Sequence, residues 1–415
     1  MSSKNIIKKV QAREIINSRG WPTVEAIVYT DDGQFRASVP QGSSCGKRAA
    51  FVLYDEGSDY LGRGVQKAIQ NIEVKINPAL QGKSVFKQRD IDRTLNKLDG
   101  TEDKSNLGVN AILPVSLAVA RAAAELKEIP LWQYLFELYQ DGEGEIKIPK
   151  PSFNIINGGA HGGSLGIQEF MIIPQFEEYS FNLKAAVEIY HYLENLLEKK
   201  VGKMATNVGD EGGFTPSLGG PEIALGFILM AVKQAGYEGQ VKIGLDCAAT
   251  QFKKEDGYQL QGGFFTPKGL RHFYQDLIKK YPLEFIEDPF DEDSFEQFAA
   301  LQKVTDITIV GDDLTTSQQK YIERAHEVAA INGVIIKPNQ VGTLSEVAGS
   351  IQLARSYGWK IIASHRSGET NDSFISDLAV GLGADFIKAG APARGERTAK
   401  YNRFLKIQAE LSSKK

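Results

Sequence analysis

Six short apolar runs between Val241 and Lys388 each end on a charged or imidazole side chain: Ile243-Gly-Leu-Asp246, Phe285-Ile-Glu287, Ile309-Val-Gly-Asp312, Val334-Ile-Ile-Lys337, Ile361-Ile-Ala-Ser-His365 and Phe386-Ile-Lys388. Three carboxylates in succession repel one another unless a cation neutralises them. The ligand set is all oxygen, with no Cys or His at zinc spacing, so the expected ion is a hard one such as Mg²⁺. A single Asp at a strand-to-helix turn is more simply a helix cap. Three acids followed by two lysines favour a metal site. A buried Lys beside a dication and a second Lys has its ammonium form disfavoured, so its pKa is expected to fall and it can act as a base. Lys337 and Lys388 are the pair, and spacing does not choose between them. The chemistry that fits is removal of a proton α to a carboxylate, with a metal holding the enediolate charge.

These residues need elements that bring them together. The terminal residues of the six runs are separated by 41, 25, 25, 28 and 23 positions. A run of three to five apolar residues reads as a strand buried on both faces, and a gap in the twenties holds a turn, a helix and a return loop. Repeated βα units with polar strand ends predict a closed parallel barrel whose rim gathers those ends. The barrel does not open on simple repeats. Ser152 to Ile156 and Glu169 to Ile173 read as two strands with no room for a helix between them, and two helical patterns follow at Asn182 to Lys199 and Pro221 to Gln234. The expected fold is therefore α/β, a (β/α)8-type barrel of ββαα(βα)6 order with a smaller N-terminal α+β domain.

At 415 residues the chain is longer than one barrel of about 250 residues, which predicts two domains, 1–140 and 141–415. The glycines, prolines and charges of Asp141-Gly-Glu-Gly-Glu145 and Pro149-Lys-Pro151 suit a linker between them. Before it, Thr23 to Thr30 and Gln34 to Val39 flank the turn Asp31-Asp32-Gly33, which predicts an antiparallel meander. Helices are expected over Gly64 to Ile72, Lys87 to Leu98 and Asn110 to Leu126. Pro114 lies inside the last of these, so that helix either starts near it or kinks there.

The formal charge of -4 argues against a general nucleic-acid binder. Cys45 and Cys247 are the two cysteines, far apart, which implies no disulfide framework. No activating partner is evident for either, and both are expected to be inert thiols. No GxGxxG follows a strand to open a helix, so no dinucleotide site is expected. No signal peptide and no membrane span are expected, and the chain reads as cytoplasmic.

Along almost its whole length the sequence resembles enolase, phosphopyruvate hydratase. The resemblance rests on Asn17-Ser-Arg-Gly-Trp-Pro-Thr-Val-Glu25, Asp99-Gly-Thr-Glu102, Asn157-Gly-Gly-Ala-His161, Gln168-Glu169-Phe170, Gly209-Asp-Glu-Gly-Gly213, Ile286-Glu-Asp-Pro-Phe290, Asp312-Asp-Leu-Thr315, Lys337-Pro-Asn-Gln-Val-Gly342 and Ser364-His-Arg-Ser-Gly-Glu-Thr370. Its Lys-Pro-Asn-Gln form is similar to that of archaeal enolases. The resemblance implies Mg²⁺-dependent dehydration of 2-phosphoglycerate to phosphoenolpyruvate in glycolysis and gluconeogenesis, with two ions per site. It implies Lys337 as the base at C2 and Glu211 as the acid at the C3 hydroxyl, with Glu169 beside it and His161 on a mobile loop. Asp246, Glu287 and Asp312 match the ligands of the tighter metal, and Ser44 joins the second. Arg366 and Ser367 match phosphate contacts, and Gln168, His365 and Lys388 match other substrate contacts. A homodimer or an octamer is implied as well. Burial of Glu211 beside Glu169 is expected to raise its pKa toward the protonated form.

The loops depart from the family pattern: Gly42-Ser-Ser-Cys-Gly46 stands for the usual Gly-Ala-Ser-Thr-Gly, and the His161 to Glu169 interval is one residue shorter. Two rival readings lack their marks. Another acid-abstracting enzyme of the superfamily calls for a Lys-x-Lys motif on an early barrel strand, which is missing, and a non-enzymatic scaffold predicts decay of Lys337 or Glu211, which are retained.

Overall fold

A computed structural model describes residues 5–42, 46–140 and 145–413. Ser44, Cys45 and the start of the expected linker at Asp141 lie outside them. The chain opens with β1 (Lys9–Ile16), β2 (Pro22–Tyr29) and β3 (Gln34–Ser38), an antiparallel meander. Then come α1 (Gln66–Gln70), a π-helical turn (Asn71–Ile76), α2 (Asn77–Leu80), α3 (Gln88–Asp99), α4 (Val109–Leu126) and α5 (Leu131–Tyr139). The Ala-rich α4 packs on β2 and β3 and against α3 and α5, so apolar residues are needed almost all round it. It is long and apolar enough to cross a membrane, contrary to the expectation from sequence, yet 83% of that window is buried inside the protein, as befits a core helix. Pro114 sits in its second turn, because the helix starts at Val109; its missing N–H leaves one intrahelical bond unmade.

The barrel follows with β4 (Lys150–Asn157), β5 (Glu169–Pro174), α6 (Tyr179–Lys200), α7 (Pro221–Gln234) and β6 (Val241–Asp246). A small sheet of β7 (Lys253–Lys254), β8 (Gly257–Leu260) and β9 (Gly263–Phe265) precedes α8 (Pro267–Lys280) and β10 (Leu283–Glu287). Regular units close the ring: α9 (Phe295–Gln302), β11 (Thr308–Gly311), α10 (Gln319–Glu327), β12 (Gly333–Ile336), α11 (Leu344–Ser356), β13 (Lys360–Ser364), α12 (Phe374–Gly381), β14 (Phe386–Lys388) and α13 (Gly395–Ser412). The eight strands form a closed barrel in the ββαα(βα)6 order. β5 is antiparallel to both neighbours, because its link from β4 holds no crossover helix and the chain must turn straight back.

Below the rim the barrel is filled by an apolar cluster of Met171, Ile173, Phe285, Val310, Ile335, Ile362 and Phe386, contributed by alternate residues of the strands. The N-terminal helices meet the barrel at α11. There Asp92 of α3 accepts hydrogen bonds from the backbone N–H (2.9 Å) and hydroxyl (2.6 Å) of Ser345 in the first turn of α11. Arg121 of α4 pairs with Asp372, just before α12.

Candidate active site

Strand register decides which side chains meet. Glu169 at the start of the antiparallel β5 lies opposite Asp246 at the end of β6, and Asp246 is beside Glu287 at the end of β10. Lys388 ends β14 and sends its ammonium into this group. Its Nζ donates to both oxygens of Glu287 at 2.8 Å, to Asp246 at 3.0 Å and to Glu169 at 3.3 Å. Asp312 and Lys337 stand one residue past β11 and β12 and pair with each other. Gln168 donates to Asp246 at 3.2 Å.

Glu211 comes from the glycine-rich loop after α6. Gly209 lets that loop press on His161, since a Cβ there would lie 2.4 Å from the His161 carbonyl oxygen. The Glu211 carboxylate accepts from Asn154 of β4 at 3.0 Å, and lies 3.3 Å from Nε2 of His161 and 3.3 Å from Nε2 of His365. The same His161 nitrogen is 3.9 Å from Glu169, so one imidazole spans two buried carboxylates. Arg366 and Ser367 follow β13; Arg366 donates to Asn339 at 3.0 Å, and the Ser367 carbonyl accepts from Ser18 of the N-terminal part.

A single cleft gathers the site residues expected from sequence except two. Glu287 is fully covered beneath Lys388, and Ser44 lies outside the described residues.

The charges within this cleft correct the expectation for Glu211. Burial works to lower the pKa of Lys337 and Lys388, but Asp312 outweighs it for Lys337, and Asp246, Glu169 and Glu287 outweigh it for Lys388. Both ammonium groups are raised, Lys388 well above its usual value. These directions belong to the carboxylate surroundings alone, whereas the fall expected for a lysine beside a dication concerns the metal-loaded site. Glu211 departs from its expectation. Burial alone would push it up, but the imidazoles of His161 and His365 and the guanidinium of Arg397 hold it well below the usual carboxylate range. Glu169 is the member pushed up, by burial and by the charge of Glu211. The two carboxyls are thus pushed apart, Glu169 up and Glu211 down. Burial takes His365 down to about 4, a neutral ring, and pushes the Cys247 thiol up, which leaves it inert.

The sequence model of the enolase N-terminal domain matches residues 7–135, and that of the enolase C-terminal TIM barrel domain matches residues 145–415. The chain belongs to the enolase family. Proteins named enolase from Methanothrix thermoacetophila and Methanosarcina acetivorans are each 46% identical to it over 410 residues, 98% of this chain and 96% and 94% of theirs. A third, from Methanococcoides burtonii, is 46% identical over 414 residues, 99% of this chain and 96% of its own.

The enolase family uses Mg²⁺, and the rim fits a hard cation. Three carboxylates already surround the ammonium of Lys388 as they would a metal ion, and the Asp288, Asp312 and Asp313 oxygens approach within 4.8 Å of one another. His161, Glu169 and Glu211 converge equally closely, with the imidazole between the two carboxylates. The cleft also holds residues that sequence reasoning passed over. Asp288 and Asp313 each adjoin a rim acid inside a motif of the enolase resemblance, which was the available signal. Gln251 accepts from the Ala160 N–H at 2.8 Å and donates to Gln168, tying the His161 loop to the rim; nothing in the sequence marks it.

Proposed function

We propose that in this enolase-family chain Lys337 takes the C2 proton of 2-phosphoglycerate and Glu211 protonates the departing C3 hydroxyl. The overall reaction is that of the family: a hydro-lyase step of glycolysis and gluconeogenesis that interconverts 2-phosphoglycerate and phosphoenolpyruvate. The observation that carries the assignment is convergence, since a lysine, a proton-sharing carboxylate pair and an arginine fork open onto one cleft. Asp246, Glu287, Asp312 and Ser44 would hold Mg²⁺, two ions per site in this reading, which would supply positive charge to substrate oxygens that become more negative.

Lys337 must be neutral to accept a proton, and the group that keeps it charged is Asp312. Once the Asp312 charge is engaged elsewhere, burial, Arg366 and Lys388 all act to lower the lysine pKa, and a free amine becomes accessible. Hydroxide is a poor leaving group, so the elimination needs an acid. Glu169 is the carboxyl pushed toward protonation, and His161 reaches both carboxylates. The three groups can therefore deliver a proton to whichever oxygen faces the C3 hydroxyl. Arg366 presents a planar fork to phosphate with Ser367 beside it. Lys388 and Gln168 sit where a substrate carboxylate would meet Asp246, and His365 completes the wall next to Glu211.

The same reading divides the chain into a capping unit of residues 1–140 and a barrel unit of residues 141–415, supported by the gap between the two matched domains. It assigns a cytoplasmic location and a homodimer or octamer, which light scattering would distinguish from a monomer. A spectrophotometric assay for phosphoenolpyruvate, run with and without Mg²⁺, tests the function. Turnover that needs the ion is expected, and no product in its presence would overturn the reading.

A further inference from the structure

Arg397 lies in the first turn of α13, has no exposed surface, and reaches the cleft from behind. The position is an unusual one for a buried cation, because the N-terminus of a helix carries partial positive charge and favours acids. Helix stability does not account for it, but its contacts do. One terminal nitrogen donates to Nδ1 of His365 and to the Arg366 carbonyl, both at 2.6 Å. The other donates to the Ser367 carbonyl at 2.6 Å and to the Asp210 carbonyl at 3.0 Å. The two loops that carry Arg366-Ser367 and Glu211 are thereby pinned to one rigid fork. Room for its stem comes from Gly390, where a Cβ would lie 2.9 Å from Cδ of Arg397 and 2.7 Å from the Glu211 carbonyl oxygen.

The contact with His365 has a chemical consequence. A guanidinium has donors only and stays protonated, so Nδ1 of His365 must be an acceptor. In a neutral ring the proton is then on Nε2, and Nε2 is the nitrogen 3.3 Å from Glu211. The reverse tautomer would set donor against donor at Arg397 and a lone pair against a carboxylate at Glu211. We infer that Arg397 is a positioning residue of this active site: it locks His365 as the Nε2–H tautomer facing Glu211 and sets the spacing between the phosphate loop and the Glu211 loop. The inference rests on the proposed roles of Glu211, Arg366 and Ser367, and it adds a residue that touches no substrate.

The test is ¹⁵N NMR of histidine-labelled full-length protein without substrate, with the His365 signals assigned by loss in His365→Asn among the five histidines. A neutral ring protonated at Nε2 from about pH 6 to 8 is expected; an Nδ1–H ring or an imidazolium in the unaltered protein overturns the inference. Arg397→Met should scramble that signal, lower kcat roughly 10- to 100-fold and raise KM for 2-phosphoglycerate. Arg397→Lys, which keeps a donor but cannot span both loops, should retain the tautomer and still raise KM. A lower melting temperature with the His365 signal, kcat and KM unmoved would make Arg397 structural only. Should Arg397→Met fail to fold, the unaltered protein's spectrum and Arg397→Lys decide the matter. Turnover by the unaltered protein is measured separately, so failure of the enolase reading and failure of this inference give different results.

Discussion

At the barrel mouth Glu169, Asp246 and Glu287 are buried around the ammonium of Lys388, whereas at the seam between α3 and α11 Asp92 is buried with no cation among its hydrogen-bond donors. Asp92 accepts from Gln88, from the hydroxyls of Ser116 and Ser345 and from one backbone N–H, and burial pushes its pKa up to about 6. Neutral donors fixed on three helices suit a carboxylate that caps a helix start and ties two layers together. Charged partners on long side chains suit carboxylates that must exchange one cation for another. The difference teaches that burial alone marks neither site as functional; the identity of the neighbours does.

The largest expected effect is at the mouth. Lys337→Ala should lower exchange of the substrate C2 proton by about 10⁴-fold while metal binding survives. Exchange retained near the normal rate would place the base elsewhere and put the Lys337–Asp312 pair in the same structural class as Asp92. Next, Glu211→Gln should keep C2 exchange and lower elimination by about 10³-fold. Because Glu169 is the carboxyl pushed up and His161 links it to Glu211, Glu169→Gln should impair the same step, and normal turnover in either variant removes that residue from proton delivery.

Acid stability sharpens the contrast further, since mouth and seam pull in opposite directions. His365 has a folded pKa of about 4 against a usual 6.5, so its contribution is fully present above pH 6.5 and is lost as pH falls through 4. Asp92 has a folded pKa of about 6 against a usual 3.8, so its contribution is present below pH 3.8 and is lost as pH rises through 6. Each shift corresponds to about 3 kcal/mol across its window. Loss of His365 also lets Glu211 shift upward, which flattens the slope in His365→Asn further, while the remaining buried carboxylates act equally in both backgrounds. Between about pH 4 and 6, melting temperature should therefore rise less steeply with pH in His365→Asn than in Asp92→Asn. Equal slopes would mean that at least one of the two groups is not held as described.

Much of the mouth was legible because a strand buried on both faces must be continuously apolar, so a polar residue at its end stands out, as at Phe386-Ile-Lys388. The antiparallel β5 could be anticipated from the missing crossover helix. Other features left no such mark. α5, Leu131-Trp-Gln-Tyr-Leu-Phe-Glu-Leu-Tyr139, is apolar nearly all round and shows no clean period, and β7, β8 and β9 are too short to alternate. The downward shift of Glu211 is not legible in the sequence because it depends on His161, His365 and Arg397, which join Glu211 only through the fold. Arg397 itself sits among Arg394, Glu396 and Lys400, which read along the chain as a solvated helix face, although Arg397 and Lys400 are fully buried.

The smallest expected effect is at the seam. Gln88 donates to Asp92 at 3.0 Å and to the carbonyl and hydroxyl of Ser116 at 3.1 and 3.2 Å, while its own buried oxygen has no hydrogen-bond partner among the described residues. Gln88→Ala removes a donor that steadies the Asp92 charge but also removes that unsatisfied oxygen, so the losses partly cancel. A net cost of about 1 kcal/mol is expected, read as a lowered melting temperature at neutral pH. The Asp92 pKa should rise further, because one of the bonds that favours its charged form is gone. Lys388 and Glu211 keep all their contacts, so kcat and KM for 2-phosphoglycerate should not move. A fall in kcat in the folded variant would mean that strain at α11 reaches the mouth, and the two buried carboxylate sites would then have to be treated as one coupled system.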